Sequence, residues 1–125
     1  MNTIKILLVD DNVLIRSSFK QLLSCLPNLD IIGECSDGNE VLPFLFVNDV
    51  DVIFMDINMK FIDGYVATEM VKTNYPQIRV IGFSSDNEMS SIRRMADSGA
   101  DGFINKASAS IEIVASELRR IIDYT

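Results

Sequence analysis

Two apolar runs that stop on carboxylates constrain this chain more than any other feature. Val52-Ile53-Phe54-Met55 ends on Asp56, and Ile4-Lys5-Ile6-Leu7-Leu8-Val9 ends on Asp10-Asp11. Runs this short and this apolar read as strands buried on both faces, as in a parallel sheet. Open α/β sheets bind their ligands at the carboxyl ends of the strands, where these acids fall. If the two strands are neighbours, three carboxylates meet at one edge.

Helical and extended patterns alternate along the rest of the chain. Ile15, Phe19, Leu22, Leu23 and Leu26 make a helical stripe over 12–26, with Asp11 or Asn12 as N-cap and Pro27 as the stop. Residues 29–35 read as a second strand, and a Ser36-Asp37-Gly38 turn leads to a short helix over 39–47 that Pro43 should kink or delay. The third strand covers 51–55. After a loop to Gly64, a helix over 65–75 carries Val66, Met70 and Val71. A fourth strand, 78–83, contains Gly82, which suggests close backbone approach. A helix over 87–98 sets Met89, Ile92, Met95 and Ala96 on one face, and a fifth strand, 102–105, ends at Lys106. Ser108 or Ser110 caps a last helix whose stripe is Ile111, Val114, Ala115, Leu118, Ile121 and Ile122. Five βα units with short connections predict one domain over 1–125. Its fold class is α/β, a doubly wound, five-stranded parallel sheet of order 2-1-3-4-5, flavodoxin-like in architecture.

Composition removes several function classes. With 125 residues, 48% of them apolar, the chain can bury one real core. It contains no apolar run of membrane-spanning length and no leader pattern, so a cytoplasmic protein without a membrane role is expected. A net charge of −7 argues against direct nucleic-acid binding by this segment. The basic pairs Arg93-Arg94 and Arg119-Arg120 read as solvated helix faces. Cys25 and Cys35 lack metal or redox spacing and read as reduced, buried thiols. The chain has no histidine, which excludes Ser-His-Asp and Cys-His nucleophile schemes and His-based zinc sites.

What remains is carboxylate, hydroxyl and lysine chemistry. In the predicted topology Asp10, Asp11, Asp56, Ser84 and Lys106 all stand at strand ends on one edge. Singly, each has an ordinary reading as cap, turn or solvated residue; the conjunction carries the weight. Two carboxylates about 4 Å apart repel by roughly 4 kcal/mol at an effective dielectric near 20. Three cannot stay ionised together without a cation or raised pKa values. Lys106 offsets part of the repulsion, and the remainder invites a hard divalent ion such as Mg²⁺. Metal, lysine and hydroxyl beside a carboxylate suit phosphoryl transfer onto that carboxylate.

With these residues in place, the whole chain resembles the receiver domain of two-component response regulators. The matching words are Ile6-Leu7-Leu8-Val9-Asp10-Asp11, Met55-Asp56-Ile57-Asn58-Met59, Asp63-Gly64 and Phe83-Ser84-Ser85, then the stretch from Gly99 to Lys106. The resemblance implies that Asp56 accepts a phosphoryl group from a phosphohistidine on a sensor histidine kinase or phosphotransfer protein. It implies Mg²⁺ bound by Asp11, Asp56 and the Asn58 carbonyl, with Asp10 helping through water, and Lys106 pairing with phosphoryl oxygens. Ser84 matches the switch hydroxyl and Phe103 the aromatic that follows it, while Asn58 and Asp86 lie where side chains tune acyl-phosphate hydrolysis. Such a domain catalyses its own phosphorylation and hydrolysis without turning over external substrates.

Two departures are visible. Lys60 stands where the family often has proline, and reads as a solvent-facing loop residue. Ala107 follows Lys106 where many members have proline, which looks more like the branch preceding a LuxR-type helix-turn-helix and so implies a transcriptional output. A phosphorylation-independent pseudo-receiver is the alternative, but such domains usually lose an acid or the lysine, and this chain keeps them. A flavodoxin-like FMN carrier is disfavoured by Asp10-Asp11-Asn12 where a neutral phosphate loop is needed. A haloacid-dehalogenase-like phosphatase is disfavoured by Asn58 where that family has its second Asp. Ile113, off the main stripe of the last helix, marks a candidate homodimer strip.

Overall fold

The computed structural model describes residues 3–86 and 88–124. Strand β1 (Ile4–Val9) is followed by helix α1 (Val13–Ser24), β2 (Leu29–Cys35), α2 (Val41–Val47), β3 (Val52–Met55) and α3 (Gly64–Asn74). Then come β4 (Arg79–Ser84), α4 (Met89–Asp97), β5 (Gly102–Asn105) and α5 (Ile111–Ile121). Short 3₁₀ turns precede α2 and α5. The strands are parallel in the order β2-β1-β3-β4-β5, as the alternation of patterns predicts.

Strand alternation divides the core in two. Ile6 and Leu8 of β1, Phe54 of β3 and Ile81 and Phe83 of β4 face Phe19 and Leu23 of α1 and Val114, Ala115 and Leu118 of α5. Leu7, Val9, Ile53, Met55 and Val80 face the other way, onto Val41 and Leu45 of α2, Ala67 and Val71 of α3 and Met95 of α4. Full burial of each large aliphatic side chain contributes about 1.5–3 kcal/mol. The Phe19 ring meets Phe54 edge-on at 4.9 Å and lies 4.2 Å from Phe83, so one helix residue ties two central strands.

Several helix details differ from the sequence expectations. Asn12, not Asp11, caps α1, its Oδ1 accepting from Leu14 and Ile15 N–H at 2.9 and 3.1 Å. Ser110, not Ser108, caps α5. Pro43 falls in the first turn of α2, where a missing N–H leaves no intrahelical bond unmade. In α3 the buried face is Ala67, Thr68 and Val71, with Val66 exposed. In α4 only Met95 is buried, while Met89 and Ala96 lie in solvent; Asn87, the expected start of that helix, lies outside the described residues. Ile111 is exposed at the start of α5, which narrows the predicted stripe. Cys35 is a buried free thiol, whereas Cys25, in the cap turn of α1, is free and exposed, contrary to expectation. Among the described residues no helix is long and apolar enough to cross a membrane.

Candidate functional site

Register builds the site. Val9 pairs with Met55, so the residues that follow, Asp10 and Asp56, leave adjacent strands side by side. Ser84 pairs with Asn105, which brings Lys106 to the same edge. Oxygens of Asp10, Asp11 and Asp56 lie within 4.8 Å of one another. Asp10 and Asp56 are buried and Asp11 is exposed. The half-buried Lys106 ammonium reaches in from the β5 side, 2.6 Å from Asp10 Oδ2 and 3.0 Å from Asp56 Oδ1.

The carboxylates are unequally served. Asp56 Oδ1 accepts from Ile57 N–H at 2.9 Å and from Lys106, which leaves Oδ2 free of hydrogen bonds among the described residues. Asp10 Oδ1 accepts from Asn12 N–H at 2.9 Å. Its buried Oδ2 meets Lys106 only as an ionic contact and has no hydrogen bond of good geometry. A buried oxygen on Asp10 and an unbonded oxygen on Asp56, next to the exposed carboxylate of Asp11, fit a hard divalent cation.

Burial pushes the Asp56 carboxyl up to about 6, with the charges of Asp10 and Asp11 acting in the same direction and Lys106 opposing them. Burial alone would lower the Lys106 pKa. Its contacts with Asp10 and Asp56 outweigh that and raise it, so the ammonium stays charged. Lys106 thus pairs with two of the three acids, and the Asp56 carboxyl titrates closer to neutrality than an ordinary carboxyl.

Other predicted residues sit one step back. Ser84 is buried, and its Oγ accepts from Asp86 N–H at 3.1 Å. Asp86 in turn accepts from Glu88 N–H at 2.8 Å and Ser91 Oγ at 2.6 Å, contacts led by Ser91 that hold its pKa below the usual range. It thereby secures the start of α4, where Glu88 forms no side-chain cap. Phe103 is half-buried over Gly82, where a Cβ would come within 2.8 Å of its ring. The close approach expected at Gly82 is therefore made by a side chain rather than by backbone. Asn58 is exposed in the loop from β3 to α3, and Lys60 beside it is exposed as expected. Gly64 N–H holds that loop by donating to Ile57 O at 2.7 Å. One buried acid escaped the sequence reading as a site residue: Asp37, which looked like a turn residue, accepts hydrogen bonds from this loop just after β2. Its partners lie 24 and 25 positions away, and no local pattern announces them.

A response regulator receiver domain match spans residues 6–116. The response regulator protein VraR of Staphylococcus saprophyticus is 34% identical over 110 residues, covering 88% of this chain and 53% of VraR. VraR of Staphylococcus aureus is 33% identical over 111 residues, covering 89% and 53%. The chain therefore spans about half the length of these curated relatives. The signal receiver domain of NarL from Mycobacterium tuberculosis superposes with a TM-score of 0.87 at 26% identity, over 97% of this chain and 98% of that one. The response regulator domain of Thermotoga maritima CheB gives 0.86 at 25%, over 99% of each. The chain belongs to the response regulator receiver domain family of two-component signalling.

Proposed function

We propose that this domain, taken as residues 1–125, is a phosphorylation-activated switch. Asp56 accepts a phosphoryl group from a phosphohistidine on a sensor histidine kinase or phosphotransfer protein. The observation that carries the reading is the Lys106 ammonium bridging Asp10 and Asp56, with Asp56 Oδ2 unencumbered. That oxygen attacks phosphorus, the donor's P–N bond breaks, and the electron pair leaves with the histidine nitrogen. Lys106 stands where it can turn from the carboxylates to the equatorial oxygens of the transferring group. Asp11, Asp56 and the Asn58 carbonyl would hold Mg²⁺, with Asp10 acting through water; when bound, the ion neutralises charge developing on the phosphoryl oxygens.

Ser84 then has a choice of partners. Turning its hydroxyl to a phosphoryl oxygen means giving up the Asp86 N–H, which loosens the junction into α4. Phe103, seated over Gly82 beside the groove between α4 and α5, is placed to follow. Asn58 and Asp86 tune hydrolysis, in which a water attacks the acyl phosphate and returns the Asp56 carboxylate and inorganic phosphate. For the output we favour a LuxR-type DNA-binding domain joined to this one, on the strength of Ala107. Ile113, 44% exposed on α5, fits a dimer strip.

Intact mass after incubation with Mg²⁺ and acetyl phosphate tests the reading, with Asp56→Asn alongside. One phosphoryl group on the parent and none on the variant is the expected result. No gain on a folded parent overturns it in favour of a phosphorylation-independent binding module.

A further inference from the structure

We propose that Asp37, on the loop after β2, is a positioning residue for the metal site, fixing the segment that carries Asn58; this rests on the Mg²⁺-dependent reading above. Asp37 is 5% exposed. Among the described residues it forms no ion pair. Backbone N–H groups answer its charge instead. Oδ1 accepts from Phe61 at 2.9 Å, and Oδ2 accepts from Ile62 at 3.0 Å and Asn39 at 3.1 Å. Burial works against ionisation of this carboxyl, and the N–H groups of Phe61, Asn39, Ile62 and Lys60 outweigh it, holding the pKa below its ordinary value.

Gly38 completes the clamp. Its N–H donates to Ile62 O at 3.2 Å, and a Cβ at this position would stand 2.4 Å from that oxygen. Glycine is therefore required for the approach. At the other end of the segment, Gly64 N–H grips Ile57 O at 2.7 Å, and a Cβ on Gly64 would come within 2.0 Å of Asp56 O. Residues 58–60 span the gap between two fixed points, so the direction of the Asn58 carbonyl is set by both. Mg²⁺ demands near-ideal octahedral geometry at about 2.0–2.1 Å, and a displaced ligand weakens it. Outer partners that orient ligands typically account for about 10–100-fold in metal affinity.

The test compares the parent, Asp37→Ala, Asp37→Asn and, as a destabilised control away from the site, Asp101→Ala. Amide hydrogen exchange at Phe61 and Ile62 is followed without metal, and the Mg²⁺ Kd is measured by calorimetry. In Asp37→Ala both amides should exchange faster and the Kd should rise about tenfold. Asp37→Asn keeps one acceptor oxygen without the charge, so its Kd should rise less than that of Asp37→Ala. Asp101→Ala should keep the parent Kd. A parent-like Kd in Asp37→Ala overturns the inference. So does an Asn variant as weak as the Ala variant, which would assign the effect to charge alone. Should Asp37→Ala not fold, Asp37→Asn decides, and a parent-like Kd there overturns the inference. A parent that binds no Mg²⁺ overturns the proposed function and this inference together, an outcome distinct from a parent that binds beside variants that match it.

Discussion

Two charge clusters stand at opposite ends of the sheet and are built on opposite ratios. At the amino end, Asp101 has two cations: Lys72 at 3.0 Å and Arg79 at 3.6 Å. Its Oδ2 also accepts from Val80 N–H at 2.9 Å, and Lys72 donates further to the Pro76 and Ile78 carbonyls at 3.2 and 2.8 Å. Every charge there is answered, and the result is a joint between α3, β4 and β5. At the carboxyl end, three carboxylates converge, and among the described residues the Lys106 ammonium pairs with two of them, Asp10 and Asp56. Left to itself that end is repulsive, and folding retains it only because the core holds the strand ends together. A cluster with cations in excess fastens the fold, while one with acids in excess stores a demand for positive charge that a metal ion can meet.

The largest effect that separates the two is loss of Asp101. Removing this carboxylate leaves Val80 N–H without its acceptor and two cations facing each other. Asp101→Ala should lower stability to urea by about 2–3 kcal/mol, the size expected for an unsatisfied buried donor with a partly screened ion pair. A loss under about 0.5 kcal/mol would mean that the joint is ornamental.

The unbalanced end should respond with the opposite sign. The folded protein holds the Asp56 proton more tightly than the unfolded chain does, since its pKa is raised from 3.8 to about 6. A raised carboxyl pKa favours folding at low pH, and that contribution disappears as pH rises through the folded value. Metal-free parent should therefore weaken relative to Asp56→Asn between about pH 4 and pH 7, by about 2 kcal/mol after allowing for solvent screening. Parallel stability profiles for the two proteins would show that the acids are not in conflict. Mg²⁺ should then relieve the parent. At ten times its Kd the ion should add about 1.4 kcal/mol to the parent and to Asp101→Ala alike, and much less to Asp56→Asn. Equal gains in all three would place the ion elsewhere.

How much of this was legible beforehand follows from the range of the interactions. Val52 to Asp56 and Ile4 to Asp11 announced themselves because a doubly buried strand must be continuously apolar and its charged end conspicuous. Short right-handed crossovers left few strand orders, and 2-1-3-4-5 is one that doubly wound sheets use. The joint at Asp101 was invisible, because a single acid before a strand says nothing about Lys72, 29 positions away. Asp37 was hidden for the same reason. In α4 the periodic Met89, Ile92, Met95 and Ala96 promised a wide buried face, yet a helix packed over the sheet edge buries only Met95. Apolar spacing records which residues share a face, and the width of the neighbouring surface decides how many of them are covered.

The smallest effect asks whether charge ratio or setting makes the Asp101 joint strong. Glu34 on β2 repeats the ratio, pairing with Arg16 and Lys20, each at 3.0 Å. Its setting is different: the Glu34 side chain is 32% exposed and that of Lys20 46%, against 21% for Asp101 and 19% for Lys72. The Glu34 carboxylate, its pKa lowered chiefly by the Lys20 hydrogen bond and also by Arg16 against the opposing effect of burial, is bonded only to side chains. Asp101 is fastened to backbone as well. Water screens the exposed pair, and the entropy of holding a long lysine chain offsets most of the attraction. Lys20→Met should therefore change stability by less than about 0.5 kcal/mol, and the change should vanish in 0.5 M salt. Lys72→Met should lose about 1–2 kcal/mol and keep most of that loss in salt, since two backbone carbonyls lose their donor with the charge. If the two variants lose equal amounts, the ratio of charges alone sets the strength of a cluster. The contrast between the ends of this sheet would then reduce to counting ions.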